Sequence, residues 1–308
     1  MLHWFQDDGC TDVSATGGKG ASLARMTALG MPVPPGFVVP AEALRSSLEA
    51  AGSLTSLRDL LSGAGDESRR AAIAGEAHAT VLETPISDEL AREVSEAYGR
   101  LGEQVPVAVR SSACSEDSEA ASFAGQQETY LHVQGADEVL AKIRECWASF
   151  FTERALFYRG EKGSLDDLDI AVVVQRMVEP DVAGVMFTID PTRGRKDRMV
   201  VEAVFGLGEG VVSGELTPDH YVLSRSGELK RTKLQTQPFA VVHREGGGTR
   251  EEPLPPEQGE AQTLDEVALK RLAEVGLQLE QRLGGPQDIE WAIQGDELFV
   301  LQSRPVTA

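Results

Sequence analysis

Two short pairs near the end of the chain carry the most suggestive chemistry: Asp288 with Glu290, and Gln302 with Arg304. Alternate side chains of an extended strand share a face, so each pair projects from one side of its strand. Between them Gln294–Gly295–Asp296–Glu297 is a turn signal, and the whole stretch reads as a β-hairpin. With an odd loop centred on Asp296, Glu290 stands opposite Gln302 and Asp288 opposite Arg304. These four then form a polar front, and Ile289, Trp291, Ile293, Phe299 and Leu301 an apolar back. An even loop would set Glu290 against Leu301 and mix the faces. A carboxylate beside an amide oxygen is a pair of hard donors of the kind that Mg²⁺ accepts next to phosphates. The fork of Arg304 suits phosphate oxygens. A solvated face with a cross-strand Asp288–Arg304 pair is the plainer reading of the same residues.

Other stretches offer related chemistry. Gly17–Gly18–Lys19–Gly20–Ala21 opens a helix whose apolar side is Leu23, Met26 and Leu29 and which ends at Gly30. Glycines there let backbone N–H groups approach an anion, and Lys19 adds a point charge. The spacing is not that of a P-loop. Val105–Arg110 reads as a strand that delivers Arg110, Ser111 and Ser112 at its C-terminal end. A polar loop follows, and a second strand resumes at Glu128–Val133 with Thr129. Gly125, in the small-residue stretch between them, permits close backbone approach, as a lid over phosphates requires. Gln175–Arg176–Met177–Val178 follows a buried apolar strand and can present backbone groups and an amide to an adenine edge. Gly206, Gly208 and Gly210 lack dinucleotide-fingerprint spacing, and His220 reads as structural.

The elements that must position these residues alternate between helix and strand patterns. Ala136–Arg159 reads as one long helix with Val139, Ile143, Trp147, Phe150 and Phe151 on its buried stripe. Arg244–Glu260 reads as a mobile surface loop, and Leu264–Leu283 as an amphipathic helix. The 308 residues suggest two domains or lobes, divided as 1–192 and 193–308. With 29 basic and 49 acidic residues the net charge is −20, which disfavours nucleic acid and anionic membranes as partners. Cys10, Cys114 and Cys146 are too scattered for a disulfide framework or a zinc site and fit a reducing cytoplasm. The N-terminus has no signal-peptide pattern, and no apolar run reaches transmembrane length.

Taken in order, the motifs Gly17–Ala21, Val109–Ser112, Ala121–Tyr130, Gly184–Thr188, Asp288–Trp291 and Gln302–Pro305 resemble the ATP-binding domain of phosphoenolpyruvate synthase, pyruvate phosphate dikinase and rifampin phosphotransferase. The resemblance covers essentially the whole chain. It implies an α+β, ATP-grasp-like fold, two lobes with the nucleotide in the cleft between them. It implies ATP and Mg²⁺ as cofactors. Lys19 and Arg110 would bind phosphates, Gly125 and Thr129 would line the lid, and Gln175 would sit at the adenine or ribose. Glu290 and Gln302 would hold the metal, and Arg304 would contact phosphate, so that Lys19, Arg110 and Arg304 serve catalysis. The implied reaction cleaves ATP to AMP and phosphorylates a histidine on a separate swivelling domain or chain. The family's Thr-Ser/Cys-His run is absent: none of His3, His78, His132, His220 or His243 sits in one. The expectation is therefore a phosphotransferase module that works with a histidine carried in cis or trans. A rifampin-type acceptor and a non-catalytic ATP sensor are the alternatives. Cys114 stands where the family has threonine and is given no role.

Overall fold

Apolar runs in Gly36–Val39, Val107–Ala113 and Ile170–Arg176 supply the inner strands of one sheet, and those in Val182–Phe187, Arg198–Phe205 and Asp219–Ser224 supply the middle of another. The computed structural model describes residues 1–114, 128–161, 168–212, 214–244 and 246–306. They build an α+β fold in two compact units: residues 1–24 with 35–177, and residues 25–34 with 178–308. The division falls at 177/178 and not at the expected 192/193. Val182–Phe187 is hydrogen-bonded on both sides to strands of the second unit, so it cannot belong to the first. Residues 25–34 join the second unit as well, where Val300 donates its N–H to the Pro32 carbonyl.

In the first unit β1 (His3–Trp4), β2 (Gly36–Val39), β3 (Val107–Ala113), β4 (Thr129–Val133) and β5 (Ile170–Arg176) form an antiparallel sheet in the order β1-β2-β5-β3-β4. Its helices are α1 (Val13–Ala28, through residue 24), α2 (Glu42–Ala50), α3 (Leu54–Ser62), α4 (Glu67–Glu83), α5 (Asp88–Leu101), α6 (Ala136–Ser149) and α7 (Glu153–Glu161). Capping signals start several of them: Asp66 accepts the Ser68 N–H at α4, and Ser87 the Leu90 N–H at α5. One sheet face (Phe37, Val39, Val107, Val109, Val172, Val174) packs with Ala77, Val81, Val94, Ile143 and Trp147 into a single core. The expected helix over Ala136–Arg159 is two helices. Thr152 starts the second by accepting the Ala155 N–H on its hydroxyl and the Leu156 N–H on its carbonyl.

In the second unit β6 (Val182–Phe187), β7 (Arg198–Phe205), β8 (Asp219–Ser224), β9 (Leu229–Lys233), β12 (Gln287–Gln294) and β13 (Glu297–Pro305) pair in the order β13-β12-β6-β7-β8-β9, while β10 (Phe239–His243) and β11 (Thr249–Pro253) make a separate ribbon. The expected mobile loop Arg244–Glu260 therefore contains β11 and the short helix α9 (Pro256–Gly259), which follows α8 (Glu209–Val212) in the chain. The sequence of β11, Thr-Arg-Glu-Glu-Pro, has no apolar alternation because the strand is exposed along nearly its whole length. Helix α10 (Glu266–Leu283) is capped by Asp265 at its start and by left-handed Gly284 at its end. Its stripe of Leu269, Leu272, Ala273, Gly276 and Leu279 is buried. At Gly276 a Cβ would fall 2.3 Å from the Met186 methyl, so the helix lies close against β6.

Candidate functional site

The terminal hairpin reaches the expected pairing by an unexpected route. Its turn has two residues, Gly295 and Asp296, with Gln294 opposite Glu297, so the loop is even. Uninterrupted pairing would then set Glu290 against Leu301. A register shift between Glu290 and Trp291 leaves Leu301 as the extra residue of a β-bulge. Glu290 is thereby returned to Gln302, and Asp288 to Arg304. The bulge also changes the apolar faces. Leu298 and Val300 lie opposite Ile293 and Trp291 and are buried on the back. Phe299 pairs with Ala292, and Phe299 and Leu301 pack with Val178, Ala183 and Ala292 on the side of Glu290. The assignment of Phe299 and Leu301 to the back is thus reversed.

Directly paired residues of an antiparallel sheet point the same way, so whole rows can be followed across the second unit's sheet. One row runs Gln302, Glu290, Val185, Glu202, His220, Lys233. One step along the strands lies the apolar floor of Phe299, Ala292 and Ala183. One step the other way lie Arg304, Asp288 and Phe187. Three steps of chemistry, namely apolar floor, oxygen donors and guanidinium, thus span about 14 Å, at about 3.4 Å per residue. Glu290 is half-buried and Gln302 is 9% exposed. Arg304 donates from Nε to Asp288 Oδ2 at 2.8 Å, so the plainer cross-strand pair is present too. Burial pushes the Asp288 carboxyl above its ordinary value and the Glu290 carboxylate adds to this, while Arg304 pulls it down.

Glu290 and Gln302 could hold a hard divalent cation. Among the described residues no group of three or more His, Cys, Asp or Glu could ligate one. A cation at this pair would complete its shell from ligand oxygens and water, the habit of Mg²⁺ beside phosphates. Glu202, which motif reading passed over, stands in the same row as Glu290 with Val185 between them. The available signal was a lone carboxylate inside the apolar run Met199–Phe205.

In the first unit Lys19 and Arg110 come together through β3. That strand extends to Ala113, three residues past its expected end, so Ser111 and Ser112 are strand and not loop. Lys19 Nζ donates to the Ser111 carbonyl at 2.9 Å. Arg110 pairs with Thr129 across β4 and with Val173 across β5. Gln175 pairs with Ala108 and Gly36, two residues along, so Arg110, Thr129 and Gln175 share the sheet face opposite the helix-covered core. Gln175 is buried at 3% exposure. The N–H groups of Arg176 and Met177 are donated to the Pro35 and Pro106 carbonyls, which leaves fewer donors for an adenine edge than the sequence suggested.

The glycines beside Lys19 serve a close approach. Gly17 interrupts α1 with φ 69°, and a Cβ there would lie 2.3 Å from the Ser112 carbonyl oxygen. Gly20 donates its N–H to Ser112 Oγ at 3.2 Å, and that hydroxyl donates to the Thr16 carbonyl at 2.9 Å. The strand end thereby fixes the helical turn that carries Lys19. Gly125 lies outside the described residues, whereas Thr129, the other residue expected to line the lid, begins β4. Cys114 follows β3 directly, its thiol 3.4 Å from the Ser14 carbonyl.

The family model described as pyruvate phosphate dikinase, AMP/ATP-binding domain, matches residues 13–308. A probable phosphoenolpyruvate synthase of Archaeoglobus fulgidus is 42% identical over 99% of this chain and 41% of its own length. One of Methanocaldococcus jannaschii is 39% identical over 100% of this chain and 27% of its own. A rifampicin phosphotransferase of a Streptomyces species is 40% identical over 98% of this chain and 35% of its own. The chain thus spans less than half the length of these curated relatives. A solved structure of D-alanyl-alanine synthetase A from Vibrio cholerae aligns with 94% of this chain and 58% of its own at 12% identity and a TM-score of 0.37, a likeness too loose to bear on the fold. The match over residues 13–308 and the full-length similarity to both groups of enzymes lead to one assignment: the chain belongs to the pyruvate phosphate dikinase AMP/ATP-binding domain family.

Proposed function

We propose that this chain is an ATP-grasp-like phosphotransferase module that binds ATP with Mg²⁺, cleaves it to AMP and donates a phosphoryl group to a histidine on a separate domain or chain. The observation that carries the reading is the Glu290–Gln302 pair, set between an apolar floor on one side and Arg304 on the other. The half-buried Phe299 and Leu301, packed over Ala183 and Ala292, take the base. Glu290 and Gln302 hold the metal, and Arg304, oriented by Asp288, receives a phosphate oxygen. Lys19 and Arg110 neutralise further phosphate charge, and Thr129, opposite Arg110, lies where the lid strand begins. When bound, Mg²⁺ supplies charge neutralisation at the transferring phosphoryl group, where positioning and electrostatics supply most of the catalysis. The phosphoenolpyruvate synthases and rifampicin phosphotransferases match this chain about equally well, as expected if acceptor choice resides in other segments of those longer proteins.

Incubating the chain with ATP, Mg²⁺ and candidate histidine-bearing domains tests the proposal. The expected products are AMP and a phosphohistidine on the cognate domain. ATP binding without AMP release in the presence of every cognate carrier contradicts the transfer reaction and favours a nucleotide sensor.

A further inference from the structure

The side of the terminal hairpin turned away from Glu290 and Gln302 carries a buried chain of polar groups. Ser303 Oγ donates to Gln287 Oε1 at 2.9 Å, and Gln287 Nε2 donates to the Gly285 and Pro286 carbonyls at 2.8 and 3.2 Å. The Gln287 N–H donates to the Thr188 hydroxyl at 2.9 Å. Hydrogen bonds from Arg225, and after it from that hydroxyl, hold the Glu280 carboxyl below its ordinary value, so the chain reaches α10. Ser303, Gln287 and Thr188 are 4%, 2% and 0% exposed. Around them the same layer is apolar: Met186, Ile289, Trp291 and Val300 are all buried. Polar groups in such a layer are costly unless bonded, and once bonded they hold it to a single arrangement.

Two members of the chain alternate in sequence with residues of the front. Ser303 stands between Gln302 and Arg304, and Gln287 precedes Asp288, which orients Arg304. The backbone ladder gives out at this point, because Gln287 lies opposite Pro305, which has no N–H to donate. The side-chain bond from Ser303 to Gln287 takes over and ties the end of β13 to β12. Past the proline, Val306 donates its N–H to the Pro286 carbonyl at 2.9 Å and continues the tie. We propose that Ser303 and Gln287 are positioning residues: from the back of the sheet they set the aim of Gln302 and Arg304, on which metal and phosphate binding depend. The inference rests on the reading of the front as a site for ATP with Mg²⁺.

The test measures the affinity for a non-hydrolysable ATP analogue, with and without Mg²⁺, and for adenosine, in the wild-type chain, Ser303→Ala and Ser303→Thr. Loss of a group that orients a metal ligand typically weakens metal binding by about ten- to a hundredfold. Ser303→Ala should therefore lose about tenfold or more of the Mg²⁺ enhancement, with its affinity for adenosine unchanged. Ser303→Thr, which keeps the hydroxyl, should restore the enhancement. Ser303→Cys, a weaker donor of similar size, replaces the alanine variant should that one fail to fold, and should show the same selective loss. A folded Ser303→Ala chain that keeps the full Mg²⁺ enhancement, however much stability it loses, overturns the assignment and makes these hydrogen bonds purely structural. Equal losses for adenosine and the analogue, or a loss that persists in Ser303→Thr, overturn it as well. A wild-type chain without any Mg²⁺ enhancement overturns the reading of the front itself.

Discussion

The proposed function gives Lys19 two tasks that a single substitution can separate. Its ammonium is 2.9 Å from the Ser111 carbonyl, so it ties α1 to β3 in the absence of any ligand. In the proposed function it also meets phosphate. Lys19→Ala should weaken the affinity for ATP about tenfold or more, with little change for adenosine, as measured by calorimetric titration with each ligand. Equal losses for both would mean that only the tie to β3 mattered. Its neighbour Gly17 makes a sharper structural prediction. Gly17→Ala adds a Cβ 2.3 Å from the Ser112 oxygen at a backbone φ of 69°. It should cost about 2 kcal/mol or more in denaturant unfolding. Lys19, Arg110, Thr129, Glu290, Gln302 and Arg304 became candidates in the sequence because each sits in a short motif with a recognisable residue type at fixed spacing. Glu202 did not: one acid in a strand has no motif around it, and only the order of strands sets it in the same row as Glu290.

At the scale of elements, the hairpin shows how a right pairing can follow from a wrong loop. Alternation of polar and apolar residues placed Glu290 opposite Gln302, but a two-residue turn and a bulge at Leu301 produce that register. Sequence periodicity does not distinguish an odd loop from an even loop with one inserted residue, and the price was the misplacement of Phe299 and Leu301. The split of α6 from α7 was signalled only by Thr152, and the exposed strand β11 by nothing in its pattern. The buried strands and the amphipathic helix α10 were readable because their apolar periods are long. Helix α10 is fastened by Glu280, which accepts from both terminal nitrogens of Arg225 at 2.9 and 2.7 Å, while Arg225 also donates to the Thr188 carbonyl. The Arg225 hydrogen bond holds the Glu280 carboxyl below its ordinary value. A carboxyl lowered by folding stabilises the protein above its unfolded value, and that stabilisation disappears as pH falls through the folded value. Glu280→Gln should therefore lower the thermal midpoint near neutral pH, by about 1 kcal/mol of stability. The difference from the wild type should close below about pH 4. A gap that persists in acid would assign the loss to packing.

For the molecule as a whole, charge is the governing constraint. A chain of net charge −20 that binds a polyanion works against its own field, and the proposed function meets this with Lys19, Arg110, Arg304 and one divalent cation. Among the described residues no helix is long and apolar enough to cross a membrane. The account stands on the Glu290–Gln302 pair acting as a metal seat beneath a triphosphate. The most direct measurement is the affinity for a non-hydrolysable ATP analogue, with and without Mg²⁺, in the wild type and in Glu290→Ala, each checked for an intact fold by circular dichroism. The wild type should bind the analogue far more tightly with Mg²⁺ than without it, and the variant should lose that dependence while remaining folded. A folded Glu290→Ala chain that keeps the full Mg²⁺ enhancement would contradict the account.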